Sequence, residues 1–118
     1  MKGYTDIEQS KKLAEILPLE SADMYWWSSG KRYYIESIDD DDYDEAKDIR
    51  AWSLAALLDV LNKTAYFMDE DASVNLSSYK TIEWDLGIDN SDLELVTESN
   101  PVDACVEMIL KLHELNLL

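Results

Sequence analysis

Three features of the chain point to an α+β fold: a small antiparallel sheet, made of a hairpin plus a short meander, packed with about three helices. Residues 101–117 carry apolar side chains at helical spacing behind an Asn-Pro start, and residues 24–38 hold two aromatic-rich runs separated by Ser28, Ser29, Gly30 and Lys31. Segments follow one another as helix, hairpin, helix, meander, helix, without the strand–helix alternation of a parallel βαβ fold. The 118 residues, 47% of them hydrophobic, suit one domain, 1–118, with a core of its own.

The first helix is predicted over Asp6 to Leu17, where Ile7, Leu13, Ala14, Ile16 and Leu17 fall at helical spacing; Thr5 or Asp6 can cap it and Pro18 stops it. Met24–Trp27 and Arg32–Ile38 read as the two strands of a hairpin. Residues 39–48 (DDDDYDEAKD) have no apolar period and read as a solvated loop. A short helix then starts at Ser53, its N-cap, with Trp52 and Leu57 placed as a hydrophobic staple; Leu54, Leu57, Leu58 and Leu61 form its buried face, and Asn62 and Lys63 end it. Strand-like runs follow at Thr64–Met68, Val74–Tyr79, Ile82–Leu86 and Leu93–Thr97, and these would complete the antiparallel sheet. The last helix begins with Asn100 as N-cap and Pro101 at the first helical position, and its apolar face runs through Val102, Cys105, Val106, Ile109, Leu110, Leu112 and Leu117.

The formal net charge is -16, and it is unevenly placed. Residues 1 to 35 carry five acids and five bases, 36 to 68 nine and three, and 69 to 118 twelve and two. Such a surface repels phosphate backbones and anionic headgroups, so direct contact with nucleic acid or membrane is not expected. A lone cysteine, Cys105, fits a reducing compartment. Residues 1–9 (MKGYTDIEQ) lack the apolar region of a signal peptide, and no stretch approaches the length of a membrane span, which makes the cytoplasm the expected location.

Several strings, Glu8–Leu13 (EQSKKL), Ala22–Tyr25 (ADMY), Ala51–Leu54 (AWSL) with Leu57 and Leu58, and Ala104–Leu112 (ACVEMILKL), resemble a family of small uncharacterised acidic proteins of gut anaerobic bacteria and their phages or mobile elements. The resemblance spans most of the chain and implies a cytoplasmic bacterial or phage protein. It brings no assigned activity, and its strings coincide with caps and core faces.

No catalytic set is visible. Cys105 and His113 stand eight residues apart in one predicted helix, about 12 Å along its axis at roughly 1.5 Å per residue, too far for a dyad. Ser53 lacks the flanking glycines of a nucleophile elbow. One cysteine and one histidine cannot supply a zinc site, and the run Asp39, Asp40, Asp41, Asp42, Asp44 and Glu45 lacks the glycine and terminal glutamate of a calcium-binding EF-hand loop. Gly3, Gly30 and Gly87 are isolated, so no phosphate-binding loop exists. A solvated charged loop is the favoured reading of the acidic run, with calcium or magnesium binding by its carboxylates as the alternative; no other metal and no cofactor are expected.

The aromatic residues are the remaining anomaly. Tyr25, Trp26, Trp27, Tyr33 and Tyr34 crowd onto the predicted hairpin, where alternate residues face opposite sides, so Trp26 and Trp27 cannot both enter one core. Either helices cover both faces, or one face is a protein-binding surface. The leading reading is a non-enzymatic interaction module with an unknown protein partner or self-association. Two alternatives stand beside it: an acidic mimic of nucleic acid that inhibits a bacterial or phage enzyme, with 36–48 and 69–103 as its acid-rich stretches, and a small carbohydrate-binding or hydrolytic protein.

Overall fold

The computed structural model describes residues 2–38, 43–79, 83–91 and 93–118. Its elements run α1 (Ile7–Ala14), a 3-10 turn (Leu19–Ser21), β1 (Met24–Ser29), β2 (Arg32–Ser37), β3 (Ile49–Ala51), α2 (Leu54–Met68), β4 (Val74–Tyr79), β5 (Glu83–Ile88), β6 (Val96–Glu98) and α3 (Pro101–Glu114). The α+β class is as the sequence predicts. The strands, however, form two antiparallel three-stranded sheets, β2-β1-β3 and β4-β5-β6, so the hairpin and the meander do not complete one sheet.

Local chemistry accounts for each start. Asp6 caps α1 in a capping box: its carboxylate accepts the Gln9 backbone N–H at 2.8 Å, and Gln9 Oε1 accepts the Asp6 N–H at 3.1 Å. Ser53 caps α2, accepting from the Ala56 N–H at 3.2 Å, and Trp52 and Leu57 beside it are both fully buried. Asn100 caps α3 through the Asp103 N–H at 2.8 Å, with Pro101 in the first turn. In the hairpin, Ser29 pairs with Arg32 across a two-residue loop. Gly30 has φ +65 there, the positive φ that a type II′ turn needs at its first central position.

Two departures from the sequence reading have clear causes. The run Thr64–Met68 is not a strand; it is the last turn and more of α2, and Asn62 and Lys63 lie inside the helix. The buried stripe Leu57, Leu61, Ala65 continues at a spacing of four, and it outweighs the strand preference of Thr64, Tyr66 and Phe67. The Thr64 hydroxyl donates to the Val60 carbonyl at 2.9 Å, and Lys63 pairs with Asp59 one turn back at 2.9 Å. The second departure is β3, which the loop-like composition around 39–48 concealed. Its three residues pair with Met24, Tyr25 and Trp26 of β1. Residues 39–42 of that loop, and Ile82 at the predicted start of β5, lie outside the described residues.

The core is built by α1, α2, α3 and β5, with Leu13, Leu61, Leu86, Val102, Ile109 and Leu112 each 0% exposed. The segment that precedes α1 is laced to it from outside. The Thr5 N–H donates to the Trp52 carbonyl at 2.9 Å, and Thr5 Oγ1, itself buried, meets Ser10 Oγ at 2.7 Å and accepts the Trp52 N–H at 3.1 Å. Lys2 reaches Asp103 at the start of α3 at 2.9 Å. The first sheet contributes little to this core: of β1 and β2, only Tyr25 is buried.

Candidate functional site

The five aromatic residues singled out on the hairpin divide by face and by depth. Tyr25 is 1% exposed and sets its ring edge-on to Tyr43, with centroids 5.1 Å apart; Tyr43 in turn lies under the Arg50 guanidinium at 5.0 Å. Arg50 Nη1 donates to the Leu19 carbonyl at 2.8 Å, which anchors β3, the neighbour of β1, to the 3-10 turn. Trp26 points to the opposite face. Its Nε1 donates to the Thr5 carbonyl at 3.0 Å, and its ring meets Tyr4 edge-on at 5.6 Å. Tyr25 and Trp26 therefore hold the inner half of the hairpin to the body.

The outer half is different. Trp27 and Tyr34, directly opposite each other across β1 and β2, stack with centroids 4.8 Å apart and planes inclined by 29°. Tyr34 is 41% exposed, and Tyr33, on the other face, is 47% exposed. A stacked pair of this kind gains about 0.5–1.5 kcal/mol beyond its buried area and fixes both rings in one orientation. Trp26 and Trp27 thus resolve as alternation requires: one ring is tied to the N-terminal segment, and the other lies in an open aromatic platform beyond it.

Two grooves lie elsewhere on the described surface. One, of about 570 Å³, runs between the end of α1, the 3-10 turn and α2. The other, of about 420 Å³, lies between β6 and α3 and is lined by Glu98, Glu107, Lys111 and Glu114 among others. Burial, then the charges of Glu107 and Asp103, hold the Glu98 carboxyl above its ordinary value. Sequence reasoning missed both grooves. For the first, the signal was an apolar Tyr66-Phe67 pair following a helix, which the strand reading of Thr64–Met68 obscured.

The groups considered for chemistry sit as follows. Cys105 is 0% exposed, and burial pushes its thiol up to about 12, so no thiolate is presented at neutral pH. His113 is exposed near the end of α3, with Nδ1 at 3.4 Å from the Leu118 carbonyl oxygen. The Ser53 hydroxyl is engaged as the α2 cap and donates to Asp23, whose other oxygen accepts the Ser53 N–H at 2.8 Å. Of the acidic run, Asp39–Asp42 lie outside the described residues; Asp44 accepts the Ala46 N–H at 3.0 Å within its own turn, and Glu45 pairs with Arg50 at 3.4 Å. Among the described residues no cluster of three or more His, Cys, Asp or Glu is placed to hold a metal ion, and no helix is long and apolar enough to cross a membrane.

Of the strings quoted above, Leu13, Ala22, Ala51, Trp52, Cys105 and Ile109 are buried, whereas Glu8, Lys11, Lys12 and Glu107 are exposed. Compared with models of protein families, with curated proteins and with solved structures, the chain matches none of them.

Proposed function

We propose that this protein is a cytoplasmic, non-enzymatic interaction module that meets a protein partner with the outer half of the β1–β2 hairpin, through Trp27, Tyr33 and Tyr34. The observation that carries this reading is the Trp27–Tyr34 stack, preorganised on a rigid two-stranded arm and standing outside the buried core. Tryptophan and tyrosine dominate binding energy at protein interfaces. Rings already held in place by stacking lose little rotamer freedom when a partner covers them. The inner anchors, Trp26 on Thr5 and Tyr25 beneath Tyr43, brace the arm so that it presents the platform in one pose.

Affinity capture from extract of the native cell, with the wild-type chain and Trp27→Ala as baits, tests the reading. The wild type should retain a partner in stoichiometric amount, and Trp27→Ala should lose it while melting within a few degrees of the wild type, as a partly exposed ring allows. A partner held equally by both baits, or neither a partner nor self-association, refutes it.

A further inference from the structure

The groove between α1 and α2 shares no residue with the aromatic hairpin, and its chemistry is distinct. Its floor and walls are Ile16, Leu17, Val60, Thr64, Phe67 and Leu118, among others, and its volume of about 570 Å³ lies within the range of binding clefts. Phe67 stands at its mouth 86% exposed, edge-on to Tyr66, which is 57% exposed, with ring centroids 6.2 Å apart. This is the most exposed large apolar side chain among the described residues. A largely exposed Phe–Tyr pair beside an apolar groove leaves apolar surface in water that a partner would remove.

Charge selects the occupant. Phe67 lies in the last turn of α2, where the backbone carbonyls carry the negative end of the helix dipole. That turn holds no basic side chain, its C-cap is Asp69, and Glu70 and Asp71 follow. None of the three is ion-paired among the described residues, and Lys63, on the groove wall, is already paired with Asp59. The groove is walled by helices and the 3-10 turn, so it offers no strand edge for main-chain pairing; an occupant must satisfy its own backbone, as a helix does. A second copy is disfavoured, since each chain carries a net charge of -16 and two copies repel.

We propose that this groove docks an amphipathic helix of another protein, with apolar residues at helical spacing seated against Phe67 and Val60 and lysine or arginine residues facing Asp69, Glu70 and Asp71. The probe is a labelled synthetic helix of leucine and lysine, compared with its leucine–glutamate counterpart, by fluorescence anisotropy and by the amide signals of the intact protein. The leucine–lysine helix should bind one to one and move the signals of Ile16, Val60 and Thr64. Phe67→Ala, a change at an exposed position that leaves the fold intact, should weaken binding about tenfold or more. Asp69→Asn combined with Glu70→Gln and Asp71→Asn should weaken it several-fold and flatten its salt dependence. Trp27→Ala should leave it unchanged, which separates this surface from the hairpin. The proposal is overturned if no binding occurs, if Phe67→Ala binds as tightly as the wild type, or if the leucine–glutamate helix binds equally well. A wild-type dimer that Phe67→Ala dissolves also overturns it, by assigning the groove to a second copy.

Discussion

Removing the carboxylate of Asp103 probes how the N-terminal segment is fastened to α3. Three donors converge on it: Lys2 Nζ at 2.9 Å and Gln9 Nε2 at 2.8 Å on one oxygen, and Asn100 Nδ2 at 2.7 Å on the other. The Lys2 and Asp103 side chains are 26% and 27% exposed, so the pair is only partly screened. In Asp103→Ala, Lys2 keeps Asp6 at 3.1 Å and Gln9 Oε1 at 2.7 Å, and the Asn100 cap on the residue 103 N–H survives. What is lost is one charged hydrogen bond, the bonds from Gln9 and Asn100, and a negative charge at the positive end of α3, together about 3 kcal/mol. For 118 residues, an unfolding entropy of about 2.1 cal/mol/K per residue converts this to a fall in Tm of about 12 °C. Burial pushes the Asp103 carboxyl up, but hydrogen bonds from Lys2 and Gln9, the charge of Lys2 and the bond from Asn100 outweigh it and hold the pKa below the ordinary value. A depressed folded value means that the stabilisation is fully present above the unfolded carboxyl pKa and is lost as pH falls through the folded one. Denaturant unfolding at neutral pH and at stepped values below about pH 4 should therefore show the gap between wild type and Asp103→Ala closing as the solution is acidified. A gap under about 1 kcal/mol at pH 7, or one that stays constant on acidification, refutes this account.

Two further outcomes follow from the core and from the acidic groove. Cys105 should resist alkylation by iodoacetamide at pH 8 in the native protein and react fully in denaturant; rapid native labelling would contradict its burial within α3. Glu98→Gln should raise stability at neutral pH by a few tenths of a kcal/mol, because a carboxyl whose folded pKa is raised destabilises the fold while ionised. That gain should vanish once the pH drops below the unfolded carboxyl value, and a destabilised Glu98→Gln by thermal melting would show that Glu98 is held by favourable contacts instead.

The caps were legible because each is written in a few adjacent residues. Asp6 with Gln9, Ser53 with Trp52 and Leu57, and Asn100 with Pro101 each combine a side-chain acceptor with a free backbone donor nearby, and no distant partner is needed to place them. The hairpin turn was legible for the same reason, since Gly30 supplies a positive φ at no steric cost. The end of α2 was not. Thr64, Tyr66 and Phe67 favour strands on their own, and only the packing of Ala65 with Leu57 and Leu61 against the core decides for a helix. That misreading also hid the groove, because Phe67 becomes a projecting residue only once the helix is extended past Lys63.

The site divides in the same way. The strand period shows that Trp26 and Trp27 face apart, and composition shows that acidity belongs to the last two thirds of the chain. Neither shows which tryptophan is tied down, since that depends on Thr5, a residue 21 positions earlier that reaches Trp26 only in the folded chain. By itself the sequence determined the α+β class, the helix starts, the hairpin and its turn, because these depend on period and on contacts within a few residues. The tertiary structure alone decided the split into two sheets, the docking of β3 on β1, the burial of Tyr25, the half-burial of Trp27 and the exposure of Tyr34 and Phe67. Each of those rests on pairing between segments far apart in the chain, and no local pattern encodes that partnership.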